Sequence, residues 1–151
     1  MNKNKSDKTN DTAEKSESRP GREFIHAVGR RREAIARIRL YQGKGQTLVN
    51  DQPISDYFPG QVALLAYLRP FQLTETNGKY FATIRVVGGG KEGQLGAVIH
   101  GLSRALASIE EKKFRPVLKK EGLLTRDPRT RERRKVGTGG KARRKKQSPK
   151  R

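Results

Sequence analysis

The last 26 residues of the chain, 126 to 151, hold thirteen Lys or Arg and two acids, Asp127 and Glu132. Their only aliphatic side chains are Val136 and Ala142, and Pro128, Gly137, Gly139, Gly140 and Pro149 interrupt any helix. Such a segment buries almost nothing against itself and cannot offset the entropy lost on ordering. The expectation is an extended basic tail, disordered until a polyanion holds it. Any core must therefore be built upstream. The whole chain of 151 residues has a formal net charge of +20, and the tail's surplus of eleven is more than half of it. A field of this size recruits polyanions. The candidates are nucleic acid, an anionic membrane and acidic protein.

Residues 1 to 22, "MNKNKSDKTNDTAEKSESRPGR", mix Lys and Arg with Asp and Glu and contain no large apolar residue apart from Met1. They read as a disordered extension. They lack the apolar stretch of a secretory signal, and their acids make a poor transit peptide. Cysteine is absent, which excludes disulfide staples, thiolate zinc sites and a cysteine nucleophile. No run of apolar residues is long enough for a membrane-spanning helix.

Nearly all the apolar side chains fall in residues 23 to 125, read as one globular domain. "EAIARIRLYQ" alternates Arg37 and Arg39 against Ala36, Ile38 and Leu40, which is strand period. "QTLVNDQPI" reads as a short strand running into a turn. "YFPGQVALLAYLRP" reads as a short helix with Leu64, Leu65 and Leu68 on one face, stopped by Pro70. In "FQLTETNGKYFATIRVVGGG", Asn77-Gly78 reads as lying between two extended runs, a hairpin signal. "EGQLGAVIHGLSRALASIEE" places Leu95, Val98, Ile99, Leu102, Leu106 and Ile109 on one helical stripe. "RPVLKKEGLL" reads as a further short helix ended by Gly122. This order of strands, helix, strands, helices predicts an α+β fold: a sheet with helices packed on one face.

Gly88, Gly90 and Gly93 match G-x-G-x-x-G between a predicted strand and a predicted helix. No second parallel strand follows to complete a dinucleotide unit, and about a hundred residues leave no room for a doubly wound sheet. The phosphate-loop pattern fails too, because Lys91 is followed by Glu92. The glycines still allow close backbone approach, and N–H groups at a helix start favour a phosphate. That phosphate can belong to RNA as easily as to a nucleotide. The two histidines, His26 and His100, are too few and too far apart in sequence for a metal site. Glu110 and Glu111 beside Lys112 and Lys113 form a solvated charge cluster. No catalytic site, cofactor or metal is expected.

A second basic group, "GRRREAIARIR", carries Arg30, Arg31, Arg32, Arg37 and Arg39 against Glu33. Arginine suits phosphate because its planar fork meets two oxygens at once. A membrane-binding segment would need an apolar face, which the tail lacks. A duplex-DNA reader presents a recognition helix, and the best helix here spends its apolar face on the core. Single-strand readers need aromatic rings exposed on a sheet, and several of the nine Phe and Tyr read as core. What remains is backbone recognition of a large folded RNA, with the domain on its surface and the tail threading inward. Fully extended, that tail spans at most about 85 Å. A free nucleoid-type or RNA-chaperone protein is the alternative of like composition.

Four blocks occur in order: "GRRREAIARIRL", "VNDQPISDYFP", "GGGKEGQLGAVIHGLSRAL" and "LLTRDPRTRERRKVGTGGKARR". In these the chain resembles the family of the ninth protein of the small ribosomal subunit, in its bacterial type, over residues 26 to 151. The third block is the family signature, carried by Gly88, Gly89, Gly90, Gly93, Gln94, Ala97, Gly101, Ser103, Arg104 and Leu106. The resemblance implies a four-stranded sheet with two main helices and a left-handed βαβ crossover. It implies a non-enzymatic place in the subunit head, in a bacterial cytoplasm or a plastid stroma, among neighbouring head proteins. The RNA partners implied are small-subunit ribosomal RNA and the anticodon stem-loop of peptidyl-site tRNA.

With the resemblance, the ribosomal-RNA contacts expected are Arg30, Arg31, Arg32, Arg37 and Arg39, then Gly88, Gly89, Gly90, Lys91, Gln94 and Arg104. In the tail they are Arg126, Arg129, Arg131, Arg133, Arg134, Lys135, Lys141, Arg143, Arg144, Lys145 and Lys146. The tRNA contact falls to Lys150 and Arg151. Family members commonly end in an aromatic residue followed by Ser-Lys-Arg, whereas this chain ends Gln147-Ser148-Pro149-Lys150-Arg151. The aromatic is missing, and Pro149 fixes one φ angle before the final pair.

Overall fold

A computed structural model describes residues 23–131. The expected extension, residues 1 to 22, and most of the basic tail lie outside the described residues.

The described residues begin with a hairpin. Strand β1 (Phe24–Arg31) pairs antiparallel with β2 (Ala34–Gln42), from Phe24 opposite Tyr41 to Arg31 opposite Ala34. The two-residue turn has Arg32 in the left-handed region, φ 53°. Strand β2 buries Ala34, Ala36, Ile38 and Leu40 and exposes Arg37 and Arg39, as its alternation predicts. A small hairpin follows, β3 (Leu48–Val49) and β4 (Gln52–Pro53). Its turn residues Asn50 and Asp51 both have positive φ, 49° and 66°, the backbone form that matches the twist of two-residue hairpins.

Helices α1 (Ile54–Tyr57) and α2 (Gln61–Leu73) lead to β5 (Tyr80–Val87). Strand β5 is central: it pairs antiparallel with β2 and parallel with β3. The order across the sheet is β1-β2-β5-β3-β4, so three long strands are completed by the small hairpin. The parallel pair β3 and β5 is joined through the α1–α2 crossover, the βαβ unit of the sheet. Helices α3 (Gly90–Ile109) and α4 (Glu111–Lys120) close the described domain.

Two readings around α2 are corrected. Pro70 does not stop the helix, which runs on to Leu73. A proline removes one N–H, and here the remaining turn is held by a terminal motif. Thr76 N–H donates to the Phe71 carbonyl and Glu75 N–H to the Gln72 carbonyl, with Glu75 left-handed at φ 54°. This is the Schellman arrangement. The run before Asn77-Gly78 is therefore helix end and turn, not a strand, and the dipeptide leads from α2 into β5. The helix also faces otherwise than expected: Tyr67, Pro70 and Phe71 are buried, while Leu64 and Leu65 are exposed.

Helix α3 lies on the inner face of the sheet, with α2 and α4 against it. Its buried side is Gly93, Ala97, Val98, Gly101, Leu102, Ser103, Ala105 and Leu106. Of the predicted stripe, Val98, Leu102 and Leu106 are buried, and Leu95, Ile99 and Ile109 are only partly covered. The small residues set the orientation, because they let helix and sheet come close. A Cβ on Gly29 of β1 would overlap the Ala97 carbonyl oxygen and the Gly101 amide. Ile38, Leu40, Ile84, Leu102 and Leu106 fill the layer between, each contributing about 2 kcal/mol of transfer free energy. Helix α4 ends as predicted at Gly122, φ 70°, with Leu123 N–H donating to the Leu118 carbonyl.

Candidate nucleic-acid interface

The predicted basic residues fall into three places. The first is the far end of the β1–β2 hairpin. Arg30, Arg31 and Arg32 sit at the end of β1 and in the turn that leads into β2. Beside them runs the root of the tail. Arg31 reaches Asp127 at 3.6 Å, while Arg129 meets the same carboxylate through Nε at 2.9 Å and Nη2 at 2.8 Å. Hydrogen bonds from Arg129, with the Arg31 charge adding, hold the Asp127 carboxyl far below the usual carboxylate range. One acid thus gathers two arginines from distant parts of the sequence. A cavity of about 260 Å³ opens there, lined by Arg30, Arg31, His100, Asp127 and Arg129 among others. Gly96 makes room for the arrangement, because a Cβ on it would overlap the Arg31 side chain.

His100 and Arg104, one turn apart on α3, cover the outer edge of β1. The Arg30 N–H donates to His100 Nδ1 at 3.2 Å, and Arg104 Nη1 donates to the Val28 carbonyl at 2.6 Å. An edge strand otherwise offers such groups to any passing chain. The second histidine nitrogen, Nε2, lies 3.3 Å from the Leu124 carbonyl. With Nδ1 accepting, Nε2–H donates, so the ring is the neutral tautomer. Burial lowers its pKa, and the charges of Arg104 and Arg126 lower it further, against the opposing pull of its bond to the Leu124 carbonyl.

The second place is the outer face of the sheet. Arg37 and Arg39 stand on it, and the register puts Arg37 opposite Arg85 of β5. All three are exposed. Arg85 escaped the sequence reading, although the alternation in "ATIRVV" carries the signal: Ala82, Ile84 and Val86 are buried and Arg85 is not.

The third place is the glycine loop before α3. Gly88, Gly89 and Gly90 are all left-handed, with φ of 75°, 67° and 69°. The close approach they allow is to the chain itself: a Cβ on Gly88 would come within 2.6 Å of the Glu33 carbonyl oxygen, and one on Gly89 within 2.8 Å of Ala34. Gln94 is likewise engaged, donating to the Gly88 carbonyl at 3.1 Å and accepting from the Tyr57 hydroxyl at 2.8 Å. Lys91 Nζ lies 3.2 Å from the centre of the Tyr57 ring and donates to the Tyr57 carbonyl. These residues tie α1 to α3. Their polar atoms are largely committed within the domain, unlike those of the sheet face.

Arg126 and Arg131 are exposed beyond α4. Arg133, Arg134, Lys135, Lys141, Arg143, Arg144, Lys145, Lys146, Lys150 and Arg151 lie outside the described residues.

The model of a family described as ribosomal protein S9/S16 matches residues 29–151. The chain belongs to that family. A protein named small ribosomal subunit protein uS9 from Solidesulfovibrio magneticus is 48% identical over 118 residues, covering 78% of this chain and 90% of that protein. Another of the same name, from Maridesulfovibrio salexigens, is 47% identical over 119 residues, covering 79% and 91%. Membership makes the chain a structural ribosomal protein of translation and not an enzyme. Within the G-x-G-x-x-G stretch, Gly88 and its neighbour Gly89 pack against the β1–β2 hairpin.

Proposed function

We propose that the chain is a structural constituent of the head of the small ribosomal subunit. In this reading its basic surfaces bind small-subunit ribosomal RNA, and its C-terminal tail reaches the anticodon stem-loop of peptidyl-site tRNA. The observation that carries the reading is the extent of the family match, which continues through the basic segment to residue 151. The domain supplies two exposed cationic areas: the arginines gathered about Asp127 and those of the outer sheet face. Backbone phosphates are the partner such areas suit, since each neutralised phosphate releases counterions. Arg129 and Arg131 begin the tail from the first area, and the cations from Arg133 to Lys146 continue along RNA. The terminal pair, Lys150 and Arg151, meets tRNA by charge without reading its sequence. Neighbouring head proteins share the surroundings, and no membrane or small-molecule substrate enters. The ribosome carrying it is bacterial in this reading, matching the source of the two relatives, with a plastid ribosome the alternative.

The test is deletion of Lys150 and Arg151 in otherwise intact subunits. Peptidyl-site tRNA should dissociate faster while subunit assembly is unchanged. Unaltered tRNA affinity would remove the tRNA contact from this account.

A further inference from the structure

The outer face of the sheet carries more than arginines. Phe24, Tyr41 and Phe81 stand side by side across β1, β2 and β5, in register with one another. The Phe24 and Tyr41 rings are 5.8 Å apart and tilted; Tyr41 and Phe81 are stacked at 5.2 Å. Phe24 is 46% exposed, high for a large apolar ring. Immediately beside this row, Arg39 lies over the Phe24 ring at 5.2 Å, followed along the strands by Arg37 and Arg85. His26 and Arg30 stand on the same face of β1. No position of β1, β2 or β5 on this face is acidic. Helices α2, α3 and α4 all lie on the opposite side, so no helix of the described domain covers it; the loop after β2 lies against the Phe81 ring at Gly45 and leaves Phe24 exposed.

We infer that this open sheet face is a platform for unpaired RNA bases, which stack on the Phe24–Tyr41 row and the Arg39 guanidinium while Arg37 and Arg85 hold the flanking phosphates. The inference rests on the reading of the chain as an RNA-bound protein and adds the class of RNA recognised. A face made only for duplex backbone needs cations and no exposed rings. A face made only to pin the sheet needs rings packed on one another, with no open ring under a guanidinium. The combination of a planar apolar surface, a planar cation and an acid-free surround suits a base attached to its phosphate. Each stacked base strengthens binding about five- to hundredfold, with little regard to which base it is.

The experiment compares the full-length chain binding two single-stranded RNA dodecamers of equal charge, one of adenines and one with abasic sites in place of the bases. The wild-type chain is expected to prefer the base-bearing strand at least about fivefold. In Phe24→Leu/Tyr41→Leu that preference should fall toward one, with affinity for the abasic strand unchanged, because the basic tail sees only phosphates. Equal binding of both strands by the wild-type chain would overturn the platform while leaving RNA binding itself intact. Failure to bind either strand would overturn both. A second measurement does not depend on the double variant folding: a photocrosslinking residue at position 24, in the assembled subunit, should capture an RNA nucleotide. Capture of a protein instead would identify the face as a protein contact and contradict the inference.

Discussion

Gly29 of β1 and Gly101 of α3 face each other across the layer between sheet and helix, so closely that a Cβ on Gly101 would come to 3.0 Å from the Gly29 nitrogen. The two sites are not equivalent. A Cβ on Gly29 meets backbone atoms of α3, which cannot move without the helix; a Cβ on Gly101 first meets Ile38 Cδ1 at 2.6 Å, the end of a flexible side chain. Overpacking a core costs about 1–3 kcal/mol and more where nothing yields. Alanine in place of glycine also favours a helix by about 1 kcal/mol, which helps Gly101→Ala only. Gly29→Ala should therefore destabilise by about 3 kcal/mol or more and Gly101→Ala by about 1 to 2, as measured by urea unfolding of the full chain. Equal losses would mean that the close approach is not set by the backbone contact.

Asn50 joins the small hairpin to the central strand. The Val86 N–H donates to its Oδ1 at 2.9 Å and its Nδ2 donates to the Val86 carbonyl at 3.0 Å. It does this from a left-handed backbone, φ 49°. Asn50→Gly keeps the backbone form and loses both bonds, together with the longer one from Nδ2 to the Tyr57 hydroxyl at 3.3 Å, for an expected cost of about 2 kcal/mol. Asn50→Ala loses the bonds and adds about 1 kcal/mol for the left-handed conformation. Denaturant midpoints of the two variants should differ in that order.

His100 gives the fold a pH dependence of known sign. Its folded pKa is lowered, chiefly by burial, so the unfolded chain binds the proton more readily. The stability is then fully present above the unfolded value, about 6.5, and is lost as the pH falls through the lower folded value. Protonation would turn Nδ1 into a donor facing the Arg30 N–H, with Arg104 and Arg126 nearby. The melting temperature should drop between pH 7 and pH 5, and His100→Gln should flatten that drop.

Removing Arg37 and Arg85 together as glutamines should leave the fold intact, since neither forms a salt bridge among the described residues. Binding of the full chain to small-subunit ribosomal RNA should weaken. The slope of log affinity against log salt should shrink by about 1.5, because two phosphates are no longer neutralised. An unchanged slope would place the RNA elsewhere.

What the sequence disclosed depended on side-chain size. Strand β2 was legible because Ile38 and Leu40 alternate with Arg37 and Arg39, a contrast few other patterns produce. Strand β1 was not, because its inward positions are Ile25, Ala27 and Gly29, and two of these carry little apolar signal. The same small residues misdirected the reading of α3, where large aliphatics were weighted and Ala97, Gly101 and Ala105 turned out to face the core. Asn77-Gly78 suggested a hairpin, but Pro70 fits within α2 and the Schellman motif ends the helix only after it. The arginine clusters were legible as charge. Their meeting through Asp127 was not, since it joins residues nearly a hundred positions apart. The aromatic row needed the register: only pairing puts Phe24, Tyr41 and Phe81 side by side on the face that no helix covers.

The most direct test of the central claim is sedimentation of a native lysate in moderate and then in high salt, following the protein by immunoblot. The account predicts stoichiometric migration with the small ribosomal subunit that survives the high-salt wash, because an integral component is held by many contacts at once. Migration with bulk nucleic acid, or release to the light fractions once phosphate contacts are screened, would contradict it and mark a loosely bound basic protein.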